Sequence, residues 1–282
     1  MCSTRGWLAD GTHISILRDA RGVLVAASLL LVGCGPTPSF ESVTTNQTGI
    51  DGAGSLSIPV PASESGGVDL LIAILGVQTN PNTSGPDGWT SVPGFSGFNG
   101  ATCPPDTQGT ACQLTVSYKI ADGSETSVSF RWGPARQAVG AVLRYSNVDT
   151  NRPIGASGQQ RGSSTMPTAP VITTTRDGSR VLRVVVTDAD DSKPFLIGSV
   201  ALADEPPVLR LNAVSFPDAT TDPTDGCGPP LSACDATARA VGLAVSDARS
   251  GAAGGSGTES WELRAGDQWL TASIEIRPTP PS

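Results

Sequence analysis

VDLLIAILGV, residues Val68–Val77, is the most apolar stretch of the chain beyond its amino-terminal region. Hydrophobicity alone leaves helix and strand both open. Ile72, Ile74 and Val77 are β-branched, Gly66 and Gly67 precede the run, Pro81 follows it, and no polar residue alternates within LLIAIL. Those features predict a central strand whose even and odd residues both pack, on opposite faces. An exposed edge strand of this composition would invite aggregation.

Outward from that strand, apolar residues recur with period two between turn residues. Phe40–Thr45 and Ser55–Val60 precede it. Leu114–Ile120 and Ser127–Trp132 follow, separated by Ala121-Asp122-Gly123-Ser124, and then Ala138–Ser146. Val171–Thr175, Ser179–Thr187, Val208–Phe216, Ala238–Ser246, Glu259–Arg264 and Trp269–Arg277 read the same way. That makes about a dozen strands and no convincing amphipathic helix. The expected fold is all-β: a two-sheet antiparallel sandwich over residues 40–278. A weak echo links GVDLLIA at Gly67 with GSRVLRV at Gly178, and SETSVSF at Ser124 with GTESWEL at Gly257. It places matching strands on opposing sheets.

The amino-terminal region carries a different signal. Arg18 and Arg21 precede the apolar run Val23–Val32, which Gly33-Cys34 closes. A bilayer span needs about 20 apolar residues, so this shorter run suits a secretory signal peptide over residues 1–33. Residues 1–16 fit poorly, and a start codon placed too early is the simplest account of them. Leu31-Val32-Gly33-Cys34 resembles the lipobox of bacterial lipoprotein signal peptides. That resemblance implies diacylglycerol on the Cys34 sulfur, cleavage before Cys34 and acylation of the new amino terminus. Two or more acyl chains anchor a protein stably, whereas one is marginal. Residues 34–39 then form a lipidated tether and 279–282 a tail. Gly35 after the cysteine is compatible with sorting to the outer membrane or cell surface, and the lipid bilayer is the first expected partner.

The full chain holds 18 Lys+Arg and 26 Asp+Glu; without Arg5, Arg18, Arg21, Asp10 and Asp19, the part from Cys34 onward holds 15 and 24. An acidic chain without a basic cluster argues against nucleic acid or anionic lipid as partner. Export makes disulfides reasonable for the four remaining cysteines. Cys103 with Cys112, and Cys227 with Cys234, would each close a short turn-rich loop. A zinc site is the rival reading, but the spacings are wide and the sole histidine, His13, lies in the leader.

VDLLIAILGVQT, DGWTSV, LTVSYKIADGSETSVSFRW and AVGAVLRYSNVDTNRPI are together similar to a module recurring in secreted bacterial proteins and phage tail-associated proteins. Its late strands resemble GTESWELRAGDQWLTASIEI. The resemblance implies a jelly-roll-like sandwich and carries no established activity or catalytic motif.

Chemistry-bearing residues are few. Without a histidine after Cys34, Ser-His-Asp and Cys-His arrangements are excluded. No Gly-x-Ser-x-Gly elbow occurs in a strand–helix context, and an enzyme is not expected. Asp188, Asp190 and Asp191 form an acidic cluster that would suit calcium, and Asp218, Asp222 and Asp225 form another. Solvated turn acids are the plainer reading, and no other cofactor is expected. Trp89 and Trp269, near loops, are the candidate ligand-binding aromatics; Trp132, Trp261, Tyr118 and Tyr145 lie within strands, where core packing is commoner. The reading is a membrane-anchored lipoprotein with a non-catalytic ectodomain for adhesion or ligand binding, the partner a glycan or an envelope protein. A structural envelope component is the alternative, and a secreted hydrolase comes last.

Overall fold

The computed structural model describes residues 35–49, 51–63, 68–78, 83–95, 101–104, 112–189, 196–197, 206–215, 240–263 and 266–281. Among the described residues there are 15 strands and no helix. The strands are β1 (Ser39–Gln47), β2 (Ala53–Pro59), β3 (Leu70–Gln78), β4 (Thr90–Ser91), β5 (Ala101–Thr102), β6 (Cys112–Ile120), β7 (Ser127–Arg136) and β8 (Ala138–Ser146) in the first half. The second half supplies β9 (Ile154–Ser164), β10 (Arg180–Ala189), β11 (Leu196–Ile197), β12 (Val208–Val214), β13 (Ala240–Arg249), β14 (Trp261–Glu262) and β15 (Asp267–Ile276).

β3 is the predicted central strand. It pairs antiparallel with β8 on one side and β6 on the other, and all nine of its residues are buried. Val68, expected at its start, lies outside it and is 56% exposed. Leu70, Ile72 and Ile74 join the large core between the two main sheets, whereas Leu71, Ala73, Leu75 and Val77 join a second core beneath β2 and β7. The unbroken apolar run thus has a physical cause: each face of β3 has its own covering layer.

The two main sheets have matching orders, β1-β8-β3-β6-β4 and β9-β15-β10-β13-β12, with β5 also pairing β6. The outer layers match as well. β2 pairs β7, and Ser84 bridges β7 at Arg131. In the second half, Thr168 bridges Ser260, Thr173 bridges Gly255, and β11 pairs β14. Each half is therefore a jelly-roll-like unit with one full sheet and one thin one. The two full sheets pack face to face. Contacts between them come in exchanged pairs: β3 touches β13 as β10 touches β6, and β8 touches β13 as β15 touches β6. That exchange is the mark of a pseudo-two-fold axis.

Gly76 shows how tightly the axis is packed. A methyl group on it would lie 2.7 Å from Val186 Cγ2 and 3.2 Å from Val241 Cγ1. Gly76 and Val186 hold corresponding positions on β3 and β10, and the space between the sheets admits one side chain there.

Two corrections to the expected strands follow. Ile154–Ser164 was not expected and forms β9, an edge strand of the second sheet. Its sequence, IGASGQQRGSS, lacks the alternating apolar residues that mark half-buried strands. Conversely, Val171–Thr175 makes an isolated bridge, and Glu259–Arg264 shrinks to the two residues of β14.

Candidate functional site

Residues 83–91 cross from the outer layer to the edge of the first sheet. The Ser84 N–H donates to the Arg131 carbonyl at 2.9 Å, and Thr90 and Ser91 then pair with β6. A turn at Asp87-Gly88 makes the crossing. Gly88 has φ 77°, a left-handed conformation that costs glycine little. The Trp89 N–H donates to the Pro86 carbonyl at 3.2 Å. This holds Trp89 half-buried, with part of its ring against the outer core of the first half.

β7 faces the crossing. Its period-two pattern sends Val128, Phe130 and Trp132 into the core and leaves Ser127, Ser129 and Arg131 exposed, spaced about 7 Å apart along one wall. Between the walls lies an open groove of about 320 Å³, lined by Ser84, Gly85, Pro86, Asp87 and Trp89 on one side and Ser127, Val128, Ser129 and Arg131 on the other. Neither Asp87 nor Arg131 forms an ion pair within the described residues. The groove offers an indole, three hydroxyls, one guanidinium and one carboxylate. Its size lies at the small end of ligand pockets, and an aromatic face beside several hydrogen-bonding groups suits a sugar ring.

The other candidates are placed differently. Trp269, expected near a loop as a candidate ligand-binding aromatic, is 5% exposed. It lies in β15 over Gly162, and its Nε1–H donates to Ser164 Oγ at 3.0 Å. Its ring fills the outer core of the second half and has no face free for a ligand. Asp188 is buried within β10. Asp190, Asp191, Asp218, Asp222 and Asp225 lie outside the described residues, as do Cys34, Cys227 and Cys234. No group of three or more His, Cys, Asp or Glu side chains among the described residues is arranged to hold a metal ion. Cys103 and Cys112 form the expected disulfide, their Cα atoms 4.9 Å apart.

Several buried charges were not legible beforehand. Arg144 on β8 donates to Asp69 Oδ2 at 2.8 Å and, through Nε and Nη2, to the Pro61 carbonyl. At the corresponding place on β15, Glu275 accepts the N–H groups of Ala156, Thr175 and Arg176 and the hydroxyls of Thr175 and Ser179. Burial pushes the Glu275 carboxyl up, but these donors outweigh it and hold it below its ordinary range. Each group secures the connection entering the central strand of its half. A third cluster centres on Asp247, which accepts from Arg180, Arg210 and the Tyr145 hydroxyl. Burial first, and then the Asp247 charge, raises the Tyr145 phenol well above its ordinary value, so it stays a donor. Arg210 also lies 4.3 Å over the Phe40 ring. The cluster thereby ties the first strand to the second sheet.

A second open space of about 530 Å³ lies at the end where the chain enters, beside Val68, Asp69, residues 146–151 and Thr279-Pro280. Its Asp149 carboxylate is already engaged by the N–H groups of Asn151 and Arg152 at 3.0 and 3.1 Å. Comparison of the chain with family models, with curated proteins and with solved structures gives no match in any of the three.

Proposed function

We propose that the chain is a lipid-anchored protein of the bacterial cell envelope, at the outer membrane or cell surface, whose double sandwich binds carbohydrate without catalysis. The anchor part is supported by the resemblance of Leu31–Cys34 to a lipobox. The binding part is carried by one observation: Trp89 is held half-buried at the lip of a groove whose opposite wall presents Ser127, Ser129 and Arg131. The indole stacks on a sugar face while the hydroxyls, Arg131 and Asp87 bond its substituents, and β7 fixes their spacing. A glycan array with the chain from Cys34 onward, followed by titration of the best binder, tests this. Trp89→Ala and Arg131→Ala should each weaken binding about tenfold, or about 1.4 kcal/mol. Arg131 is solvent-facing, so its loss leaves the fold intact. An array without any bound glycan, or binding untouched by both changes, would favour the structural role instead.

A further inference from the structure

We infer that the end of the molecule formed by residues 35–38, 147–152, 176–178 and 279–281 rests directly on the polar surface of the bilayer. The inference rests on the anchor reading just given.

The expected tether is not slack. Gly35 already lies against the carboxyl-terminal segment: a methyl on it would sit 2.7 Å from the Thr279 carbonyl oxygen and 3.6 Å from the Pro281 nitrogen. Two residues on, Thr37 Cγ2 lies 3.0 Å from where a methyl on Gly178 would be. Pro38 is buried, and its carbonyl accepts from Arg180 Nε at 3.0 Å. Phe40 is held by the rings and charges around Asp247. The carboxyl-terminal segment is itself fixed, since Pro278 bridges Val148 and the Thr279 N–H donates to the Asn147 carbonyl at 3.1 Å. Residues 279–281 of the expected tail are therefore part of the same end.

Cys34 precedes Gly35 by one peptide unit, about 3.8 Å between Cα atoms. Acyl chains on Cys34 would place that residue at the boundary of headgroups and hydrocarbon. With no free residues between, the surface around Gly35 must meet the headgroups. Its exposed residues suit them: Thr150, Asn151, Arg152, Arg176 and Asp177 are polar or charged, and Arg152 can face phosphates, while Arg176 lies 4.0 Å from the Asp149 carboxylate. β1 then leaves the membrane, and the groove at Trp89 opens sideways, with Ser127 nearer the bilayer than Arg131.

The test couples the chain from Cys34 onward, through the Cys34 thiol, to a maleimide phospholipid in phosphatidylcholine vesicles. Hydrogen exchange is compared with the same chain capped by N-ethylmaleimide. Chemical coupling makes the result independent of whether cells acylate Cys34, which palmitate labelling reports separately. Amides of residues 147–152 and 176–178 should exchange several-fold more slowly on vesicles, with residues 48, 49, 51 and 52 at the opposite end unchanged. A long Gly-Ser insertion between Cys34 and Gly35 should erase the difference. Equal exchange in the coupled and capped chains, protection at residues 48, 49, 51 and 52, or protection that survives the insertion would overturn the inference.

Discussion

Glu275 concentrates more hydrogen bonds than any other single side chain described above, and it is fully buried. Glu275→Gln keeps the shape but gives up the charge and one acceptor, and should cost about 2 kcal/mol in urea unfolding. The carboxyl sits below its ordinary range in the folded state, so the unfolded chain takes up the proton first as pH falls. The stabilisation is therefore complete above about pH 4.3 and is lost progressively below it. Unfolding midpoints measured downward from neutral pH should fall more steeply for the natural chain than for Glu275→Gln. Parallel curves would remove Glu275 from this role. Gly76 gives a second test. Gly76→Ala should cost about 1–3 kcal/mol through overpacking against Val186, and Val186→Ala should be less harmful in that background than alone, a coupling readable in a double-mutant cycle. Of the single residues, the Cys103–Cys112 pairing was legible because a short loop rich in turn residues separates the two. Trp269 was misjudged because proximity to a loop in sequence says nothing of which face a strand turns inward.

The central strand was legible as an element because an apolar run without alternation has few stable placements in an all-β fold. Its two faces now have separate partners, so Leu71→Asp should break the outer core and Ile72→Asp the core between the sheets. Each buries an unpaired carboxylate and should abolish cooperative melting; a normal melt for either would contradict its placement. β9 was illegible for the opposite reason. A strand at a sheet edge needs little apolar alternation, and its Gly, Gln and Ser content reads as loop. The echo between the halves, GVDLLIA at Gly67 with GSRVLRV at Gly178, is one residue out of step with the sheets. Aligning Gly67 with Gly178 matches Ile72 to Arg183, whereas the sheets match Ile72 to Leu182. In a strand that slip exchanges the two faces, and it hid how closely the halves correspond. Arg183, on the outward face of β10, is fully buried beside Glu259, with Nη1 3.7 Å from Oε2. Burial raises the Glu259 carboxyl and lowers the Arg183 guanidinium. Glu259→Ala should therefore cost about 3–5 kcal/mol by leaving a buried cation unpaired, while Arg183→Met with Glu259→Leu should recover most of it. Equal losses in the single and double variants would show that the pair has no mutual role.

At the scale of the whole molecule, two jelly-roll-like units share one large core, and the chain enters and leaves at the same end. The two-sheet architecture could be foreseen from strand periodicity. The thin outer layer of the first half could be foreseen too, from the alternation in β2 and β7, whereas in the second half the expected strands Val171–Thr175 and Glu259–Arg264 shrink to isolated bridges and the two residues of β14. The groove was only half legible: Trp89 stood out by type, but its polar wall depends on the crossing at residues 83–91 meeting β7. A packed entry end, with Gly35 against Thr279, gives the proposed anchor a mechanical meaning, because a lipid on Cys34 would set the orientation of the groove. That reading is tested most directly by metabolic labelling of cells with a palmitate analogue, followed by membrane fractionation of the natural chain and of Cys34→Ser. The account predicts label on the natural chain in the membrane fraction, and an unlabelled Cys34→Ser protein released from it; label retained on Cys34→Ser would contradict it.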